Sequence, residues 1–223
     1  MDALALLQRF LELADGSEAY FISGSFSFLP RLGDYREPAH DLDIAVEAGL
    51  FRRIRARLHS DETVHVLSLP EIALADASII ARLLPVQTSF VHITTPAGLL
   101  DLAQYRLTDG EPNFRLGLGL RLALPRSVLD RVETVTWRGI SYRAGPIELA
   151  FIPKAVAHAR RAGALPVHHV EDLRRLAPLV EHSLLKQLAC FRGLRWCGYP
   201  LPRRLDPFTG LENVVQMLAD GRL

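Results

Sequence analysis

Apolar residues recur at helical spacing from Ala3 to Ala14, and the run stops at Asp15-Gly16, so the chain opens with an amphipathic helix. Ala19 to Ser23, AYFIS, is short and apolar and reads as a buried strand. A short helix is expected directly after Gly24-Ser25, over Ser25 to Leu32. Asp34 to His40 holds a proline and several charges and reads as a loop. Asp41 to Glu47, DLDIAVE, alternates as a strand does, and Leu50 to His59 returns to helical spacing. VHVLSL (Val64 to Leu69) and SFVHITT (Ser89 to Thr95) are further strands, with a helix predicted between them over Glu71 to Leu84. Pro96 to Arg106 also scans as a helix and runs into a poorly periodic stretch around Asp109-Gly110. VETVTWRGISY (Val132 to Tyr142) reads as two strands joined near Arg138-Gly139.

The character changes after Gly145-Pro146. Ile147 to Ala162, Val170 to Leu179, Leu184 to Arg195 and Leu211 to Asp220 all carry helical patterns. There is no internal repeat and no low-complexity tract. The expected fold class is α/β (α+β): a mixed sheet with flanking helices over residues 1–145, then a helical domain over residues 146–223.

Composition narrows the class without naming a function. The 223 residues are 49% hydrophobic and 23% charged, which suits a globular chain and not a disordered one. No apolar run is long enough to cross a bilayer, and the N-terminus lacks the basic start and cleavage site of a signal peptide. A cytoplasmic protein with no membrane partner is the expectation. Cys190 and Cys197 are too few for a disulfide scaffold or a cysteine metal site. The net charge of +1 says nothing about partners. The basic residues are nearly all arginine; Lys154 and Lys186 are the only lysines, so a lysine at a key position stands out.

The candidate chemistry begins in FISGSFSFLPRLGDYREPAHDLDIAVE, Phe21 to Glu47. Residues two apart in a strand point to the same side, so Asp41 and Asp43 project together while Leu42 and Ile44 enter the packed face. Two adjacent carboxylates repel, and each is costly near a core. A divalent cation removes both problems, and an oxygen-only pair suits Mg²⁺, one ion or two, with substrate phosphates completing the shell. Gly24 lets backbone come close to a ligand, and the helix start at Ser25 offers amides to a phosphate. Together these residues are arranged for a nucleoside triphosphate.

Gly24-Ser25 followed by Asp41-Leu42-Asp43 resembles the first motif of the nucleotidyltransferase fold shared with DNA polymerase beta. GISYRAGPIELAFIPKAVAHARRAGALPVHHVEDLRRL is similar to the later motifs of AbiEii-type nucleotidyltransferases, the toxin-antitoxin branch that includes the MenT toxins. The resemblance implies a nucleotidyltransferase-fold sheet and a helical domain that contributes Lys154 and Asp172 to the cleft. Lys154 and Arg160 would serve the nucleotide, and Asp172 would act with the catalytic pair. It implies transfer of a nucleoside monophosphate from a triphosphate to a hydroxyl, with a tRNA 3′ end as the expected acceptor and an antitoxin protein or kinase as partner.

The residues add to this. Lys154, His158 and Arg161 share a helix face, and Arg160 suits either a helix contact or a phosphate. His168-His169 with Glu171-Asp172 reads as a helix entry, not a metal site, because adjacent helical residues do not converge. Enzymes of the polymerase-beta type commonly carry a third carboxylate on a later strand. The best-placed strand is SFVHITT, whose inward position holds His92, so His92 or Asp172 is the candidate for that third position. Arginines 52, 53, 55, 57, 160, 161, 174, 175, 203 and 204 come in clusters that suit an RNA backbone. Two rivals stay open: a transferase acting on a small-molecule or protein hydroxyl, and a non-catalytic binding module, for which His92 in place of an acid is the best argument.

Overall fold

Asp2 opens the first helix, α1 (Ala3–Ala14), by accepting from the Leu4 and Ala5 amides at 3.0 and 3.1 Å. Leu6, Leu7, Phe10 and Leu13 are buried along one side, and Asp15 at φ 52° ends the helix where the sequence pattern stops. The computed structural model describes residues 2–34, 41–68, 87–117, 119–160, 167–191, 193–200 and 211–221. The helix expected over Glu71–Leu84 lies outside the described residues, as do most of the expected loop before Asp41, Arg161, Arg203 and Arg204.

After α1 come β1 (Tyr20–Ile22), α2 (Gly24–Phe28), a 3₁₀ turn (Pro30–Leu32), β2 (Asp41–Glu47) and α3 (Ala48–Ala56). Then follow β3 (Thr63–Ser68), β4 (Gln87–Thr95), β5 (Gly98–Thr108), β6 (Glu111–Gly117) and β7 (Leu120–Ala123). A single turn, α4 (Ser127–Asp130), leads to β8 (Glu133–Trp137) and β9 (Ile140–Ala144). The later part holds α5 (Glu148–Arg160), α6 (Val167–Leu176), a 3₁₀ turn (Ala177–Leu179), α7 (His182–Cys190), β10 (Leu194–Trp196), β11 (Tyr199–Pro200) and α8 (Leu211–Ala219).

The strands form one mixed sheet in the order β11-β10-β7-β6-β5-β2-β1-β9-β8, with β4 and β3 also carried by β5. β2 lies at its centre, antiparallel to β1 and parallel to β5. The mixed sheet with flanking helices is the class that the sequence led us to expect. Each face buries its own core. Leu42, Ile44 and Val46 of β2 join Leu100 and Leu102 of β5 under α1 and α3. On the opposite face Phe21, Ala45, Tyr105 and Phe114 pack against Phe151, Leu173, Leu176, Leu184 and Val214 of the later helices.

Three segments depart from the sequence reading. Pro96–Arg106, expected as a helix, is mostly the strand β5. Both of its faces are covered near the centre, so Leu100, Leu102, Ala103 and Tyr105 make a nearly continuous apolar run that also matches a helical period. The aperiodic stretch after it is a two-residue hairpin at Asp109-Gly110, both at positive φ (54° and 79°), joining β5 to β6. Leu184–Arg195, expected as one helix, ends at Cys190; Leu194–Trp196 then pairs with β7. The hairpin expected near Arg138-Gly139 is present, with Trp137 opposite Ile140.

The strand assignment of β5 has a direct test. Leu100 and Leu107 would share a helix face, but in the strand Leu100 is fully buried and Leu107 is 52% exposed. Leu100→Ala should cost about 2–5 kcal/mol and Leu107→Ala within about 0.5 kcal/mol, read by urea unfolding.

Candidate active site

The two strands at the centre of the sheet place the acids. Asp41 and Asp43 project from one face of β2, with Leu42, Ile44 and Val46 behind them in the first core, as the alternation in DLDIAVE requires. The parallel register sets Asp43 opposite Asp101 of β5. Asp41, Asp43 and Asp101 each offer an oxygen, and these oxygens all lie within 4.8 Å of one another. Asp101 is the third carboxylate that the sequence reading missed and assigned to His92 or Asp172. It was hidden by the helical reading of its segment. The available signal was a repeat: Asp43-Ile44-Ala45 and Asp101-Leu102-Ala103 share the spacing Asp-x-Ala.

Gly24 explains how Asp43 fits. Its amide neighbour Ser23 donates to the Asp43 carbonyl at 2.9 Å, so β1 and β2 are still paired where the turn begins. Gly24 has φ +60°, and a Cβ there would fall on the Asp43 carboxylate. The glycine is required by a side chain of the protein itself, at both the backbone angle and the contact. The turn is pinned from behind: Ser27 Oγ donates to the Gly24 carbonyl at 2.8 Å, and the buried Tyr142 hydroxyl donates to the Phe26 carbonyl at 2.7 Å. Phe26 packs edge-on against Trp137, 5.4 Å between centroids. Ser25, half-buried, follows at the start of α2.

The later helices bring the cation that the sequence singled out. Lys154 on α5 forms an ion pair with Asp172 on α6 and stands 5.6 Å from the centroid of the Phe28 ring. Asp172 therefore partners the lysine and is not one of the three converging acids. His92 on β4 is the register partner of Asp101, with Nε2 3.7 Å from Oδ1. It stands beside the third acid, not in its place. Arg160 closes α5; its side chain and that of His158 lie outside the described residues. On α6, Arg175 pairs with Asp34 at 2.6 Å. The arginines of α3 belong to the opposite side of the sheet: Leu50, Phe51 and Ile54 seat that helix on the first core.

The electrostatics show strain between like charges. Burial pushes the Asp43 carboxyl up to about 7; Asp41 and Asp101 add to the rise, and Lys154 opposes it. Burial also raises Asp101, and the nearby His92 works against the shift. Three hard oxygen donors in mutual repulsion, with no thiol or imidazole among them, fit a hard divalent cation. A cavity of about 220 Å³ opens beside Asp43 and Asp101.

ANT(2″)-Ia, solved in complex with adenylyl-2″-tobramycin, superposes with a TM-score of 0.56 at 17% identity, over 85% of this chain and 96% of that one. The lincosamide antibiotic adenylyltransferase LnuA, lincomycin-bound, superposes at 0.54 with 14% identity, over 80% and 99%. The chain has the nucleotidyltransferase fold. At these identities the likeness is one of fold, and it does not single out the AbiEii or MenT branch. No protein-family model matches the sequence, and no curated protein matches it. Among the described residues no helix of this nucleotidyltransferase-fold chain is long and apolar enough to cross a membrane.

The raised Asp43 group fixes the sign of a pH dependence. Between the usual carboxylate range and about pH 7, the folded chain keeps a proton that the unfolded chain has lost. In chelator, stability should therefore fall as pH rises through that window, and Asp43→Asn should flatten the slope, measured by thermal unfolding. Gly24→Ala, which pushes Asp43 aside, should weaken Mn²⁺ or Mg²⁺ binding at least tenfold by calorimetry while far-ultraviolet circular dichroism stays native.

Proposed function

We propose that the protein is a Mg²⁺-dependent nucleotidyltransferase that moves a nucleoside monophosphate from a triphosphate to a hydroxyl on a small molecule. The convergence of Asp41, Asp43 and Asp101 beside the Gly24-Ser25 turn, within this fold, is the observation that carries the reading. When bound, Mg²⁺ supplies charge neutralisation on the phosphates and acidifies an oxygen in its shell. Asp41, Asp43 and Asp101 would hold it. The Gly24-Ser25 turn, with its backbone amides and the Ser25 hydroxyl, receives the phosphates. Lys154, oriented by Asp172, offsets their charge. His92 fixes the orientation of Asp101. The acceptor hydroxyl attacks the α-phosphorus in line and pyrophosphate leaves, a reaction governed by positioning and charge more than by a strong base.

The small-molecule acceptor draws support from the two solved structures above, whose bound molecules are an adenylylated tobramycin and lincomycin. A tRNA 3′ end is the second reading, and a toxin role with an antitoxin protein or kinase partner goes with it. Arg174 and Arg175, on the same helix as Asp172, favour it, although Arg175 is engaged by Asp34 and the α3 arginines are on the far side of the sheet. The non-catalytic alternative rested on a missing third acid, and Asp101 supplies one.

Incubation with each labelled triphosphate, Mg²⁺ and separate pools of tRNA and small hydroxyl compounds should label the small-molecule pool; label only in tRNA would select the second reading. Asp41→Asn, Asp43→Asn and Asp101→Asn should each lower transfer about a thousandfold or more, several kcal/mol of transition-state stabilisation. Near-normal transfer in a folded Asp101→Asn variant would remove the triad from the mechanism.

A further inference from the structure

Two neighbouring rows cross the sheet on the acidic face. One is polar: Ser23, Asp43, Asp101 and His92 are linked in turn by the Ser23 amide bond to the Asp43 carbonyl, the Asp43–Asp101 register and the Asp101–His92 register. The other lies one side-chain step away along each strand: Phe21 pairs with Ala45, Ala45 with Ala103, and Ala103 with Phe90. Two alanines at the centre of this second row, between two phenylalanines, leave a hollow. It is the floor of the cavity of about 220 Å³, whose walls include Phe114, Leu122, Leu124 and Leu149. Asp43 and Asp101 form its polar end.

The chemistry of this lining limits what fits. A polycation needs carboxylates around it, and among the described lining residues the only acids are Asp43 and Asp101, which the cation uses. A nucleobase carries donors and acceptors along its edge, and burying them unpaired is costly; besides those two acids, the described lining offers Ser23. An apolar body loses no hydrogen bond there and gains from leaving water. Resting on the transferase reading above, we propose that this cavity is the acceptor site and that the acceptor is an alcohol with an aromatic or aliphatic body. The body would lie on Ala45 and Ala103, with the hydroxyl at the Asp43–Asp101 end. In the transfer the hydroxyl oxygen bonds to the α-phosphorus, the bond from that phosphorus to pyrophosphate breaks, and the hydroxyl proton passes to water.

The probe is 2-(2-naphthyl)ethanol, titrated by fluorescence against the full chain with Mg²⁺, with and without a saturating mixture of the four ribonucleoside triphosphates. Saturable binding that persists with the triphosphates present is expected, weakened at least tenfold in Ala103→Leu; should that variant not fold, Ala103→Val takes its place. No saturation on the wild type, competition by the triphosphates, or unchanged binding in the folded variant would each overturn the assignment. A parallel titration of the triphosphates alone separates the two readings. Mg²⁺-dependent triphosphate binding without naphthyl binding removes only the acceptor class, whereas absence of triphosphate binding removes the transferase reading itself.

Discussion

Mutual repulsion among three carboxylates organises this molecule. Asp41, Asp43 and Asp101 are brought together against their own electrostatics, and backbone pairing holds them there. Parallel pairing of β2 with β5 puts Asp43 and Asp101 side by side, and the pleat adds Asp41 on the same face. The described neighbour that relieves Asp43 is Lys154, itself shared with Asp172. Such an arrangement is unfavourable for an empty protein and favourable for one that binds a divalent cation.

The surrounding packing serves that constraint. Leu42, Ile44, Leu100 and Leu102 are fully or almost fully buried directly behind the acids, so neither strand can turn to relieve the repulsion. Gly24 lets Asp43 lie against the first turn of α2, and Tyr142, Phe26 and Trp137, in the same core as those leucines, keep that turn in place. The later helices pack on the acidic face and deliver Lys154, which follows β2 by more than a hundred residues in sequence.

Much of this was legible in the chain. The alternation in DLDIAVE has one packed face, so its period of two is clean and the pairing of Asp41 with Asp43 could be read directly. Gly24-Ser25 was legible as a close approach, although the group that approaches is Asp43 itself. Lys154 and Asp172 stood out through the family resemblance, and they are found together. Asp101 was not legible, because β5 is covered on both sides at its centre and its apolar residues lose the period that marks a strand. The same limit hid β10: Leu194, Arg195 and Trp196 make a strand only because β7 offers them an edge, a long-range fact that no local pattern carries.

That last pairing has a consequence for how the protein is made. Leu122 of β7 meets Leu194 of β10, and Trp196 meets Leu120. While the ribosome is still building the chain up to Trp196, the outer hydrogen-bonding groups of β7 have no native partner from the strand that covers them later. A nascent polypeptide halted in this interval presents an open ladder able to recruit a second copy of itself. Synthesis of β10 and β11 thus replaces the β7 edge with the much shorter one of Tyr199–Pro200, whose proline cannot donate to a further strand.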